Sequence, residues 1–427
     1  MSPANGPRSL RVEQALQLLP DIDALLPLRA FVVRSSRDPA PEEPYRTVGK
    51  RFIQSQALKE FVPRAVARAS EHLTALYRSA VDALEAEENG DMPGVVRCLL
   101  TAGEEEERVG RPTQARAWYE HALRVAEGLR ERRPEIHTLR HLGHLEEVAS
   151  RNEGAARFYQ RSLVLAEGEL DSHSAARACQ GLGDVAQAQG KWQGASSWYT
   201  RGMQYVESDL RLKAALQLAL GEVARAKGQL DGAEELFQQA LAWFDQLGDG
   251  EGAARVLNAW GILEGLRVHH VEALARFSEA LAKLRDTEGA PALEMEIRLN
   301  VCELHLEWGR LPDAEDEIRR AEELAIERNL VRQLARLYVV MGKVRGRQRD
   351  ESGFVFFEKA IELCRGQEPW PRLEAEVYLE YALFRKDLGD NDECRAYLER
   401  AHEVFEAVGY GSELARVDGE LARIQTG

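Results

Sequence analysis

Three histidines crowd one short stretch, His137, His141 and His144 in HTLRHLGH, with Arg140 between them. His137 and His141 stand four residues apart, which places two imidazoles on one helical face and can bind a metal. The neighbouring sequence supplies no obvious cysteine or carboxylate to complete a ligand set, so a polar surface is the favoured reading and no metal site is expected. His269 and His270 are adjacent, point in different directions and suggest a loop. The acidic run Glu104–Glu107 has counter-charges in Arg108 and Arg111 and reads as a wet helix face. Nowhere does the chain contain GxxxxGK[ST], GxSxG, HExxH or a glycine-rich phosphate loop. The five cysteines (Cys98, Cys179, Cys302, Cys364, Cys394) are scattered, odd in number and form no CxxC pair, as expected of reduced core thiols. The expectation is a chain with no catalytic residues and no cofactor, not an enzyme.

Composition points the same way. Charged residues make up 30% of the 427 and the formal net charge is −15, which disfavours nucleic acid as the main partner. Residues 1–80 depart from this balance, with twelve Lys and Arg against eight Asp and Glu. No apolar run reaches the 18 residues of a membrane span, and the N-terminus lacks a secretory signal pattern. A cytoplasmic location is expected, and the Ala/Arg/Glu/Leu-rich composition suggests a bacterium.

The elements that position these side chains repeat. Small residues recur at Ala115, Ala155, Ala195, Ala233, Ala273, Ala314, Gly353 and Cys394, at steps of 38 to 41. Four residues after each comes a large one: Tyr119, Tyr159, Tyr199, Phe237, Phe277, Ile318, Phe357 and Leu398. Twelve before sits another small residue, Gly103, Gly143, Gly183, Gly221, Gly261, Cys302 and Ala382; the seventh copy slips by one, at Gly342. Five before stands a turn residue, Gly110, Gly190, Gly228, Gly309 or Gly389; Ser150, Val268 and Gln348 are exceptions. A fixed period of this size marks a stacked array. Small residues let two antiparallel helices approach, the large residue fills the gap between copies, and glycine ends the first helix.

The pattern small–(x6)–Gly–(x4)–Ala–(x3)–Tyr/Phe–(x2)–Ala resembles the tetratricopeptide repeat family, with eight copies from Gly94 to Val408. The commonest unit is about 34 residues; the longer step here is similar to the long-helix subgroup. The resemblance implies an all-α fold, a right-handed superhelical solenoid of helix-turn-helix hairpins over residues 92–411. Residues 1–50 read as a flexible, irregular N-terminal segment with short helices, 51–91 as a long amphipathic capping helix, and 412–427 as a C-terminal capping helix.

The resemblance also implies a ligand surface on the inner faces of the first helices, at positions six and three before and one and four after their small residue. These positions give His137, Arg140 and His144 in the second hairpin and Arg177, Gln180 and Asp184 in the third. Arg225 follows in the fourth, with Arg255 and Asn258 in the fifth. An extended or helical peptide with acidic groups would suit it, anchored by Arg140, Arg177 and Arg255, with Asn258 on the ligand backbone. The expected function is a non-enzymatic scaffold or adaptor that binds a protein or peptide. A regulatory sensor responding to a peptide or effector is the alternative.

Overall fold

The computed structural model describes residues 75–426, apart from 77, 80–81, 84, 88, 207, 286–289, 329 and 367–369. The expected N-terminal segment and most of the expected capping helix lie outside the described residues. Those described between 75 and 87 are helical, and Leu76 and Ala83 are buried.

Every regular element among the described residues is helical. Eight hairpins follow one another, each a first and a second helix: α1 (Met92–Arg108) with α2 (Pro112–Ala126), α3 (Arg133–Val148) with α4 (Asn152–Gly168), and α5 (Ser172–Ala188) with α6 (Trp192–Tyr205). Next come α7 (Leu210–Ala226) with α8 (Leu230–Gln246), α9 (Gly250–Leu266) with α10 (His270–Leu284), and α11 (Pro291–Glu307) with α12 (Leu311–Glu327). The last two are α13 (Val331–Arg347) with α14 (Phe354–Cys364) and α15 (Pro371–Asp387) with α16 (Asn391–Val408); α17 (Gly411–Thr426) packs on α16. The chain forms two compact bodies. One holds the residues up to 145 together with 157–174, and the other holds 146–156 with 175–427.

Local chemistry sets the boundaries. Asp91, Asp171, Asp209 and Asp249 accept hydrogen bonds from the backbone N–H three residues on, opening α1, α5, α7 and α9. The turn glycines Gly110, Gly190, Gly228, Gly309 and Gly389 all have left-handed φ, and Ser150 and Val268 hold the same conformation where glycine is absent. In the seventh hairpin the left-handed residue is Arg349, one past Gln348. The slip lies beyond it, where a single 3₁₀ turn, Glu351–Gly353, opens the second helix and tightens its first turn.

The repeated small and large residues meet as pairs. A methyl group on Gly103 would lie 2.2 Å from the Tyr119 ring, on Gly143 2.7 Å from Tyr159, and on Gly183 2.2 Å from Tyr199. Gly221 meets Phe237, Gly261 meets Phe277 and Gly342 meets Phe357 in the same way. Tyr119, Tyr199, Phe237, Phe277 and Phe357 also belong to cores that continue into the next hairpin: Tyr199 packs with Leu212 and Leu216 of α7, and Phe277 with Leu293 and Ile297 of α11. Hairpins within a body thereby bury their apolar stripes against their neighbours. All five cysteines are free thiols; four are buried and Cys98 is half-buried.

Candidate functional site: the polar faces of the first helices

Helical geometry puts residues three, four and seven apart on one face. In the second body this brings positions six and three before, and one after, the small residue of successive first helices to one cavity of about 480 Å³. Gln180 and Asp184 come from α5, Leu218 and Glu222 from α7, Arg255 and Asn258 from α9, and Glu296 from α11. Asp184 also lines an adjoining cavity of about 510 Å³, with Gln187, Arg225, Trp192, Glu147 and Ser150 on one side and Arg332, Arg372 and Tyr410 on the other. Arg332 and Arg372 line a third cavity of about 440 Å³ with Arg336, Glu296 and Glu376. The three cavities share walls and form one polar tract.

The tract is charged unevenly. At one end, Asp184 is ringed by groove wall, and burial, then Glu147 and Glu222, push its carboxyl up to about 8. The Tyr199 hydroxyl donates to Asp184 Oδ1 at 2.7 Å and opposes that rise. Burial likewise raises the Glu222 carboxyl, against the pull of Arg225. At the other end, Arg372 binds Glu376 at 2.8 Å and donates to the Tyr410 hydroxyl at 2.9 Å, its guanidinium 4.3 Å from that ring's centroid. Arg332 is water-accessible but walled in by the groove; that desolvation, then Arg372 beside it, lowers its pKa.

The sequence-derived residues are distributed between the two bodies. Gln180, Asp184, Arg255 and Asn258 line the first cavity, and Arg225 lines the second. Arg255 is already engaged, its Nη2 2.6 Å from Glu251 Oε1 one turn earlier. Asn258 is buried and accepts a hydrogen bond from Asn300 at 2.8 Å. The Arg225 Nε is buried with no hydrogen-bond partner. Arg177 lies half-buried on α5. His137, Arg140 and His144 belong to the first body. There the Arg140 guanidinium is 3.3 Å from His141 Nε2, His144 lies 4.0 Å from Glu107, and the His137 side chain is exposed. The Tyr119 hydroxyl donates to Glu107 at 2.5 Å, and His141, driven down to about 3 by burial and then by Arg140, is a neutral imidazole 3.4 Å from Glu104. Among the described residues, no group of three or more His, Cys, Asp or Glu could hold a metal.

Sequence reasoning missed Arg332, Arg336 and Arg372. A signal existed. Arg332 and Arg372 each stand ten residues before the small residue of their helix, Gly342 and Ala382, and Arg211 of the first cavity holds the same position before Gly221. Arg336 stands six before Gly342, an inner-face position of a hairpin for which no groove residues were read.

No curated protein matches the chain in sequence. Among solved structures, aspartyl phosphate phosphatase F from Bacillus subtilis is 11% identical; the match covers 96% of this chain and 97% of that one, with a TM-score of 0.53. The Rap conjugation gene regulator of plasmid pLS20, solved with the Phr* peptide, is 12% identical over 82% of this chain and 95% of its own, also with a TM-score of 0.53. These likenesses concern the fold. No described helix is long and apolar enough to cross a membrane. Residues 212–286 and 375–405 match family models described as Tetratricopeptide repeat; these segments carry that repeat, and five further hairpins keep the same register.

Proposed function

We propose that the chain is a non-enzymatic scaffold that binds a peptide, or a peptide segment of a partner protein, along the polar tract of its second body. The observation that carries this reading is the alignment of Gln180, Asp184, Glu222, Arg255 and Asn258, from three successive first helices, on one cavity wall. Side chains at this spacing suit an extended backbone with alternating donors and acceptors, and the volume lies in the range of small-ligand sites. The pLS20 regulator, a neighbour in fold, was solved with a peptide, which supports the same reading. The test is retention of a random decapeptide pool on the immobilised full chain, read by mass spectrometry. Ala215, half-buried on the cavity wall, is replaced by tryptophan to fill the space, and circular dichroism checks that the helices are retained. Retention by the wild type and its loss in Ala215→Trp is the expected result; equal retention by both places the binding elsewhere and refutes the reading.

One observation favours a second reading, a peptide-responsive regulator. The Asn152 side chain donates to the Val408 carbonyl at 2.9 Å, joining the start of α4 to the end of α16 beside the second cavity. A ligand touching Ser150 and Tyr410 there would tighten or release that tie. Bound peptide that slows amide exchange at Asn152 and Gly409 favours the regulator; unchanged exchange favours the passive scaffold.

A further inference from the structure

We propose that the edge formed by the turns of the fourth, fifth and sixth hairpins is a docking surface for a second copy of this chain. Val268 points there. It holds the turn between α9 and α10 at φ +64°, where five other hairpins place a left-handed glycine. A β-branched residue in that region is an outlier, and an observed outlier of this kind is a pointer to function. Packing within the chain does not require it: Val268 is 69% exposed, with Leu266 at 56% and Val271 at 65% beside it. None of the three lines the polar tract.

The neighbouring turns complete the patch. On one side the Arg267 guanidinium lies 2.6 Å from both Asp231 and Glu234 of α8, and the Asp231 side chain stays fully exposed. On the other side His270 stacks on Trp308 at the end of α11, ring centroids 5.2 Å apart. Arg310 lies over the same indole, 3.5 Å from its centroid. Arg310 is exposed, and no salt bridge of 4.0 Å or less joins it to a carboxylate among the described residues. A tryptophan carrying an unpaired arginine is the residue chemistry of interface hot spots.

The layout is its own complement. Before the turn glycine, the fourth hairpin carries Lys227 and the sixth carries Glu307; after it, the fourth carries Asp231 and the sixth Arg310. All four are exposed. A twofold axis lying across the Val268 turn, perpendicular to the run of hairpins, sets apolar turn against apolar turn. It also brings Asp231 of each copy opposite Arg310 of the other, and Lys227 opposite Glu307, so opposite signs meet on both flanks. Six helix ends about 10 Å across give each copy a face of about 600 Å². The two faces together reach about 1,200 Å², the lower bound of specific interfaces, so the dimer is weak and depends on concentration.

Sedimentation equilibrium of the full chain should show monomer and dimer in exchange. Val268→Gly removes the strain and the apolar contact together. Measured at a dilution where both chains are monomers, it should keep or raise the urea midpoint, while the dimer dissociation constant rises about tenfold or more. Asp231→Arg and Arg310→Glu should each weaken the dimer, and Asp231→Arg/Arg310→Glu should recover most of the loss, with circular dichroism showing the helices retained. A wild type that is monomeric at every concentration overturns the proposal; protection of the amides of residues 266–271 in that monomer would assign the patch to another segment of the same chain. A dimer that Val268→Gly leaves unchanged overturns the choice of edge, and a double variant as weak as the singles overturns the twofold pairing. A urea midpoint lowered by Val268→Gly makes the valine a structural residue and removes the reason for the proposal. None of these outcomes bears on the peptide reading of the groove.

Discussion

The contact between a glycine and a ring in each hairpin can be tested at Gly183. It lies inside α5, fully buried, and a methyl group added there would sit 2.2 Å from Cε1 and 2.5 Å from Cδ1 of Tyr199. Ordinary contact starts at 3.4 Å, so the ring or the helix must give by more than an ångström. The ring has little room: it is fully buried against Leu212 and Leu216, and its hydroxyl is held by Asp184 at 2.7 Å. Overpacking of this kind costs about 1–3 kcal/mol, and a strained hydroxyl contact adds about 0.5–1.5 kcal/mol. Against this, alanine in a helix interior gains about 1 kcal/mol over glycine. The net expectation for Gly183→Ala is a loss of about 1–3 kcal/mol. Gly232 in α8, which has nothing within 4 Å of the added methyl, should instead gain up to about 1 kcal/mol on the same substitution.

Urea unfolding of both variants supplies the first measurement, with amide exchange in the third hairpin as a local readout, since repeat arrays depart from two-state unfolding. A double-mutant cycle with Tyr199→Leu supplies the second: once the ring is gone, Gly183→Ala should become neutral or stabilising. If Gly183→Ala proves as stable as the wild type, or costs the same in both backgrounds, the small residue is not there to admit the ring and the packing argument fails.

Asp184 gives a pH signature. Its folded pKa of about 8 lies above its ordinary 3.8, so the folded state holds an extra proton between them; its contribution to stability is complete below the ordinary value and is lost as pH rises through about 8. Thermal melting should show Asp184→Asn losing less stability than the wild type between about pH 6 and about pH 9, and parallel curves would refute the assignment. Asn152→Ala removes the bond to the Val408 carbonyl and should cost about 1–2 kcal/mol, with faster amide exchange near Gly409; unchanged exchange would show that the tie does not hold α16.

The repeat was legible because its determinants are local: a small residue, a left-handed turn and a ring at constant offsets. The same register located Gln180, Asp184, Arg255 and Asn258 on one wall, because a helix that keeps its phase keeps its face. The one-residue slip of the seventh copy was also legible; its cause, a 3₁₀ turn after a left-handed Arg349 that advances the second helix by one residue, was not. The register could not find the second cavity, because Arg225 and Arg372 stand on helices four hairpins apart and meet across it only in the folded second body. Nor did it show that His137, Arg140 and His144 belong to the other body. Arg255 was offered as an anchor, although its i, i+4 partner Glu251 was readable one turn away.

The charges along the tract are hard to account for by folding alone. Ten residues before the small residue of successive first helices stand Arg211, Glu251, Ala292, Arg332 and Arg372; six before stand Ala215, Arg255, Glu296, Arg336 and Glu376. Alanine fills both positions within this one chain, so the hairpin does not require a charge at either. Folding stability alone would favour neutral residues or matched pairs there, because Arg332 beside Arg336 adds repulsion, an effect of a few tenths of a kcal/mol for exposed helical pairs, and Asp184 beside Glu222 and Glu147 escapes repulsion only by holding its proton. The chain instead gathers carboxylates at the Asp184 end and guanidiniums at the Arg332 end. A peptide bound as proposed, with a cationic group toward Asp184 and a carboxylate toward Arg332, would offset the arginine repulsion and let Asp184 ionise, so charge would set its orientation before any side-chain pocket is filled.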